Sequence, residues 1–338
     1  MRVVAGVEIA ILAPARRRLR LAHDLGQQGS GDEHGRKLRL KVPFSHLGSC
    51  IARVTAAACI AASVSASAAD IRLKDDAGQN LHLRAPARRL VTLSPHLTEL
   101  AYAAGAGERV VAAVEFSDYP PAARDLPRVG DSARLDIERI AGLRPDLLLA
   151  WPHGAAERSL AALRGLGIPV FLSNPQRLAD IAVTLEAIGR LAGSEPQAVA
   201  AANAFRQRLA GMPAPVHRTR PLRTLVQIWD RPLMTVNDSH LVSDALRSCG
   251  GTNLFGHLRA VAPAITLEAV LAADPEVIVA LPPTDDPAWL AAWQRWPNIS
   301  AVRRGAMLTI PSDLLTRPTP RVLDGMQRLC AVLSAAHP

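Results

Sequence analysis

The sequence predicts an α/β chain of two similar lobes, each built on a mostly parallel sheet and joined by a single rigid helix. Three observations carry that reading. LDIERIAGLRPDLLLAW, from Leu135, and ITLEAVLAADPEVIVAL, from Ile265, align as two copies of one unit, pairing Glu138 with Glu268 and Pro145 with Pro275. Each copy reads as a helix capped by Asp136 or Thr266, a proline stop and a buried strand. Between them, GSEPQAVAAANAFRQRLAGMPAP has both ends marked. Ser194 and Gln197 have capping-box spacing, Pro196 lies in the first turn, and Gly211 and Pro213 supply the stop. Such a helix spans ~25 Å, the length of a strut. The expected divisions are a leader at 1–69, a first lobe at 70–193, the connecting helix at 194–213 and a second lobe at 214–338.

A length of 338 residues suits two domains. Residues 1–69 carry ten Lys+Arg against four Asp+Glu, so most of the +9 net charge lies there. The high pI is then no sign of a nucleic-acid surface. Ile51–Ala69 is apolar and small-residue-rich, follows Arg36, Lys37, Arg39 and Lys41, and ends in Ala66-Ser67-Ala68, the form of a secretory signal. Cleavage there starts the mature chain near Asp70. Residues 1–41 are long for a basic n-region, which reads as a start assigned too far upstream. Cys50 and Cys59 leave with the leader. Cys249 and Cys330 remain, and in an exported chain they read as a disulfide, with two buried thiols as the alternative.

Along the mature chain, Ile71–Leu83 reads as a hairpin. Arg89–Leu93 is a strand running into Ser94-Pro95, an N-cap with proline at the first helical position. Val110–Val114, Pro169–Leu172, Arg223–Trp229 and Ala306–Ile310 are further strands. Ala156–Leu166, Leu178–Leu191 and Leu241–Ser248 are helices, the last stopped at Cys249-Gly250-Gly251. Trp289, Trp293 and Trp296 share helical spacing and read as a core stripe. Strands alternating with helices imply parallel sheets. In such sheets ligands bind beyond the carboxyl ends of the strands, here Ser94, Phe116 and Trp151 in one lobe and Trp229, Pro282 and Asp313 in the other. Three of the six are aromatic in a chain with only 4% aromatics.

Catalytic signatures are absent: there is no G-x-S-x-G, Walker A, G-x-G-x-x-G or H-E-x-x-H. His96 and His153 could approach each other, but a zinc site needs a further ligand. The expectation is a binding protein that is not an enzyme and has neither cofactor nor metal site.

The segments RLVTLSPHLTELAYAAGAG, FSDYPPAA, SCGGTNLF and SDLLTRPTPRVLDGMQRLC, with both repeat copies, resemble the substrate-binding proteins of ABC importers for vitamin B12, haem and iron-siderophores. The resemblance covers nearly all of 70–338, and FSDYPP and AWPHGAAER are similar to its vitamin B12-binding branch. It implies two Rossmann-like lobes on a rigid helix, a periplasmic location and a corrinoid such as cobalamin as ligand. The implied partners are a permease dimer and its ATPase subunits, with the receptor a monomer. By position, Phe116 and Trp151 match pocket aromatics, and Asp313 and Arg317 match a polar pair that bonds corrin amides. Tyr119 and His153 come with the same motifs. Cys249 and Cys330 match a disulfide, and Glu138 and Glu268 match permease-docking glutamates. The chain departs from the pattern where two pocket tryptophans fall at Ser132 and Ala262 and another aromatic falls at Met234. Trp229 stands in place of a glycine. Haem or a ferric siderophore remains an alternative ligand, and an exported enzyme on this scaffold an alternative class.

Overall fold

The computed structural model describes residues 70–131, 133–152, 156–215, 219–284 and 286–336, with only the backbone at 156 and 157. The leader with its expected cleavage site, Ser132 and His153 lie outside the described residues. The mature chain opens on an antiparallel hairpin of β1 (Ile71–Lys74) and β2 (Asn80–Leu83). Lobe one then runs through β3 (Leu90–Thr92), α1 (Pro95–Ala103), β4 (Val110–Ala113), α2 (Ile137–Gly142), β5 (Leu147–Ala150), α3 (Ala156–Gly165), β6 (Val170–Leu172) and α4 (Leu178–Ala192). The connecting helix is α5 (Glu195–Ala210). Lobe two follows as β7 (Leu222–Gln227), α6 (Leu241–Ser248), β8 (Gly251–Asn253), α7 (Leu267–Ala273) and β9 (Val277–Ala280). Short helices α8 (Ala288–Ala291) and α9 (Ser300–Arg303) precede β10 (Met307–Thr309), and α10 (Ser312–Leu315) and α11 (Val322–Ala335) end the chain.

Both sheets are parallel throughout, in the orders β4-β3-β5-β6 and β10-β9-β7-β8. Counted within its own lobe, each reads 2-1-3-4, so the lobes share a topology as well as a sequence repeat. The inner strands β5 and β9 are buried at every residue, as helices on both faces require. Strand β8 is a correction to the sequence reading, which ended a helix there. Gly-Thr-Asn has little strand propensity, and pairing with β7 decides the conformation.

The connecting helix does not stand alone between the lobes, because α4 packs along it. Ala198, Ala202 and Phe205 are its buried face. A β-carbon on Gly189 would come within 2.2 Å of that of Ala198, so glycine is what lets the two helices approach. The expected capping box at Ser194 does not form. Its hydroxyl donates instead to the Ala104 carbonyl at 2.7 Å, tying the helix start to the end of α1. Asp244 of α6 accepts from the backbone N–H of Leu178 at 2.9 Å, so the start of α4 also meets lobe two.

The tryptophan stripe is only partly realised. After Ala291 the helix tightens to a 3-10 turn over Ala292–Arg295, which takes the three rings off one face. Trp293 alone is buried, its Nε1 donating to Gln227 Oε1 at 2.9 Å. Trp296 is exposed. Cys249 and Cys330 form the expected disulfide, stapling the end of α6 to α11 across 81 residues. Closing a loop of that length removes denatured-state entropy worth ~4–5 kcal/mol in the chain-entropy picture.

A candidate ligand cleft between the lobes

The carboxyl ends of the two sheets meet at a cavity of about 330 Å³. Lobe one contributes Ser94, His96, Trp151 and Asn174, and lobe two contributes His240 and Arg317. At the end of β3, Thr92 and Thr98 share a hydroxyl hydrogen bond of 2.7 Å, and Thr98 donates to Ser117 at 3.1 Å. This buried network fixes the start of α1 beneath the cleft. Ser94 Oγ lies 2.7 Å from Nδ1 of His96, whose Nε2 is buried with no hydrogen-bond partner among the described residues. Burial first, and then the charge of Arg317, push the His96 pKa down to about 3. His240 caps α6, its Nδ1 accepting from the Val242 N–H at 3.1 Å, which leaves the ring proton on Nε2. Burial pushes its pKa down to about 4. Both imidazoles are therefore neutral at physiological pH.

Trp151 follows β5, is 40% exposed, donates from Nε1 to Asn174 Oδ1 at 3.0 Å, and meets the His96 ring edge-on at 6.3 Å. Phe116 follows β4 and is 47% exposed, with its backbone in the left-handed region at φ 63°. On lobe two the half-buried Trp229 closes the turn after β7 and packs edge-on against Trp289 at 6.5 Å. Met234 is buried, its backbone paired with the Trp229 turn. Tyr119 faces a separate groove of about 420 Å³ beside Tyr102, where the Arg321 guanidinium stacks 4.1 Å from its ring centre.

Asp313 and Arg317, the expected polar pair, bond to other residues. Asp313 accepts from Arg321 at 2.9 Å. Arg317 donates to Glu99 at 2.8 Å, to Asp118 at 3.0 Å and to the Phe116 carbonyl at 3.2 Å. Glu99 also accepts two bonds from Arg321, at 2.8 and 2.9 Å. The sequence reading missed Glu99, Arg321, Asn174 and His240. Glu99 could have been found as a lone carboxylate among the apolar residues of α1, opposite two arginines four residues apart. Glu138 and Glu268 are exposed second residues of α2 and α7. Among the described residues no group of three or more His, Cys, Asp or Glu is placed to hold a metal ion, and no helix is long and apolar enough to cross a membrane.

Residues 90–314 match the periplasmic binding protein family. The vitamin B12-binding protein of Vibrio cholerae serotype O1 is 37% identical over 255 residues, covering 75% of this chain and 91% of the relative. The crystal structure of the periplasmic vitamin B12 binding protein of Vibrio cholerae superposes with a TM-score of 0.68 at 37% identity, over 74% of this chain and 98% of that one. The periplasmic haem binding protein of the same organism shares the fold, with a TM-score of 0.62 at 20% identity over 72% and 98% of the two chains. With two parallel-sheet lobes around one cleft and a family match across both, the chain belongs to the periplasmic binding proteins, a family of ligand carriers rather than enzymes.

Proposed function

We propose that this protein captures a corrinoid, cobalamin or cobinamide, in the interlobe cleft and delivers it to an ABC import permease. The observation that supports this best is the meeting of the 40% exposed Trp151 and Arg317 at one cavity, with the exposed Phe116 tied to Arg317 through its carbonyl. A corrinoid is a broad ring rimmed by amides. Aromatic side chains suit its faces, each offering ~150–250 Å² of contact, and arginine suits its amide carbonyls. Trp229, with Trp289 behind it, forms the aromatic wall of lobe two in this reading. Asp313 acts through Arg321. The likeness to a vitamin B12-binding protein at 37% identity supports the same ligand class. The mature protein works in the periplasm after its leader is removed, as a monomer, and meets the permease through Glu138 and Glu268.

Calorimetric titration decides the ligand. Cyanocobalamin and cobinamide are expected to bind saturably at one site without turnover. Saturable binding of haemin or a ferric hydroxamate, with no heat from either corrinoid, would overturn the proposal.

A further inference from the structure

We propose that Glu99 is a positioning residue that sets the direction of the Phe116 ring from beneath, through an arginine of the opposite lobe. The Glu99 side chain is 2% exposed and sits in α1 among Leu97, Leu100 and Ala101, all fully buried. A carboxylate in such surroundings persists only when paired. Its two oxygens accept three bonds, one from Arg317 and two from Arg321, and both arginines belong to lobe two. Lobe two thus reaches into lobe one, and Glu99 is the anchor.

Arg317 passes that anchorage on. Its Nη1 bonds Glu99 and Asp118, and its Nη2 bonds the carbonyl of Phe116. Phe116 needs such a hold, because φ 63° is a conformation that residues with side chains rarely adopt and that persists only when the surroundings over-determine it. The planar guanidinium spans these three acceptors with fixed geometry, which a lysine ammonium cannot do. Glu99 itself lines the Tyr119 groove rather than the cavity, so it acts on the Phe116 turn from outside the cleft, through the cavity-lining Arg317. It also couples that turn to the lobe seam, because withdrawing Arg317 releases the lobes and the 116–118 turn together.

The ligand arm of the test rests on the corrinoid reading, and the first arm does not. In ligand-free full-length mature protein, Glu99→Gln and Arg317→Lys should each speed amide exchange at 115–119 by about tenfold, as a locally loosened segment does. Amides of β5 and β9 should keep their wild-type rates. Unchanged exchange at 115–119 in both variants would overturn the proposal, even if melting temperatures fall. In the second arm, cyanocobalamin affinity is measured through a double-mutant cycle. Glu99→Gln should weaken binding about tenfold in the wild-type background and less than about twofold beside Phe116→Ala. Equal losses in both backgrounds would mean that Glu99 does not act through Phe116. Should wild-type protein bind no cyanocobalamin, the corrinoid reading fails and amide exchange alone decides the role of Glu99.

Discussion

In lobe one, Arg89 opens the first strand and folds back so that its guanidinium donates to the Leu143 carbonyl at 2.8 and 2.9 Å. In lobe two, Arg223 does the same to the carbonyls of Ala273 and Asp274. Asp146 accepts the backbone N–H of Arg89 and Glu276 that of Arg223, each at 3.0 Å. Arg144 and Asp274, at the ends of the matched helices, both turn left-handed, at φ 46° and 41°. The amino ends of the two sheets are thus near copies, because the same main-chain donors need the same acceptors in both. The carboxyl ends have parted. Lobe one ends in Thr92, Ser94 and a hydroxyl network, whereas lobe two ends in Gln227 bonded to Trp293 and a tryptophan turn. The amino ends repeat one set of hydrogen bonds, and the two lobes differ at the carboxyl ends, where the cavity lies.

The sharpest asymmetry is covalent, because the one disulfide among the described residues lies within lobe two. Replacing Cys249 and Cys330 with serine should cost ~4–5 kcal/mol of stability if loop entropy dominates. Denaturant unfolding followed by Trp fluorescence would show it, and a loss below about 1 kcal/mol would mean that packing of α6 on α11 already holds the lobe. A smaller effect tests what the lobes still share. Glu138 and Glu268 keep matched places at the starts of α2 and α7, while the cleft residues of the two lobes differ. A carboxylate in a first helical turn is worth only ~0.3–1 kcal/mol to its own lobe. If each instead meets a basic patch on a permease subunit, the coupling is on the order of 3 kcal/mol. Changing both to alanine should then leave corrinoid affinity intact and reduce uptake by cells severely, each single change falling between. Normal uptake by the double variant would leave only the helix-dipole role.

The third test compares histidines at the start of the first helix in each lobe. His96 and His240 are both held neutral, with pKa values pushed down to about 3 and about 4. The unfolded chain protonates each near 6.5, whereas the folded chain does not, so unfolding takes up protons as the pH falls. Stability is therefore full above about pH 6.5 and declines below it, towards pH 4 for His240 and pH 3 for His96. At pH 5 the buried His96 should cost ~2 kcal/mol and the partly exposed His240 less. His96→Gln should flatten the loss between pH 7.5 and 5.0, and an unchanged pH slope would show that the lobe-one imidazole takes up its proton without unfolding.

Much of the scaffold was legible because its signals are local. Asp136 and Thr266 cap the helices they precede, the repeat marks β5 and β9, and the proline and glycine punctuation falls where the chain turns. The cleft was legible only by position. Phe116, Trp151 and Trp229 were found at strand ends, but nothing local says that Arg317 bonds Glu99 more than 200 residues away. Strand β8 was missed because pairing, not propensity, makes it. The tryptophan stripe misled because spacing cannot show where an α-helix tightens into a 3-10 turn.

The smallest expected effect is the most exact comparison. Asp136 Oδ1 accepts the Arg139 N–H at 3.0 Å, and Thr266 Oγ1 accepts the Ala269 N–H at 3.2 Å, so two different residue types perform one capping role. Losing either cap to alanine should cost ~1 kcal/mol. The carboxylate of Asp136 also faces the positive end of its helix, worth ~0.3–1 kcal/mol more than a hydroxyl at low salt. Asp136→Ala should therefore cost slightly more than Thr266→Ala in low salt, and the gap should close as salt rises and screens the charge. Both caps lie two residues before the matched glutamates, so the two sets of variants test stability and the proposed docking separately. The cap variants should lose stability and keep uptake, the inverse of the glutamate pair. Should Asp136→Ala abolish uptake at full stability, the docking surface would extend to the cap, and the lobes would differ there as they do at the cleft.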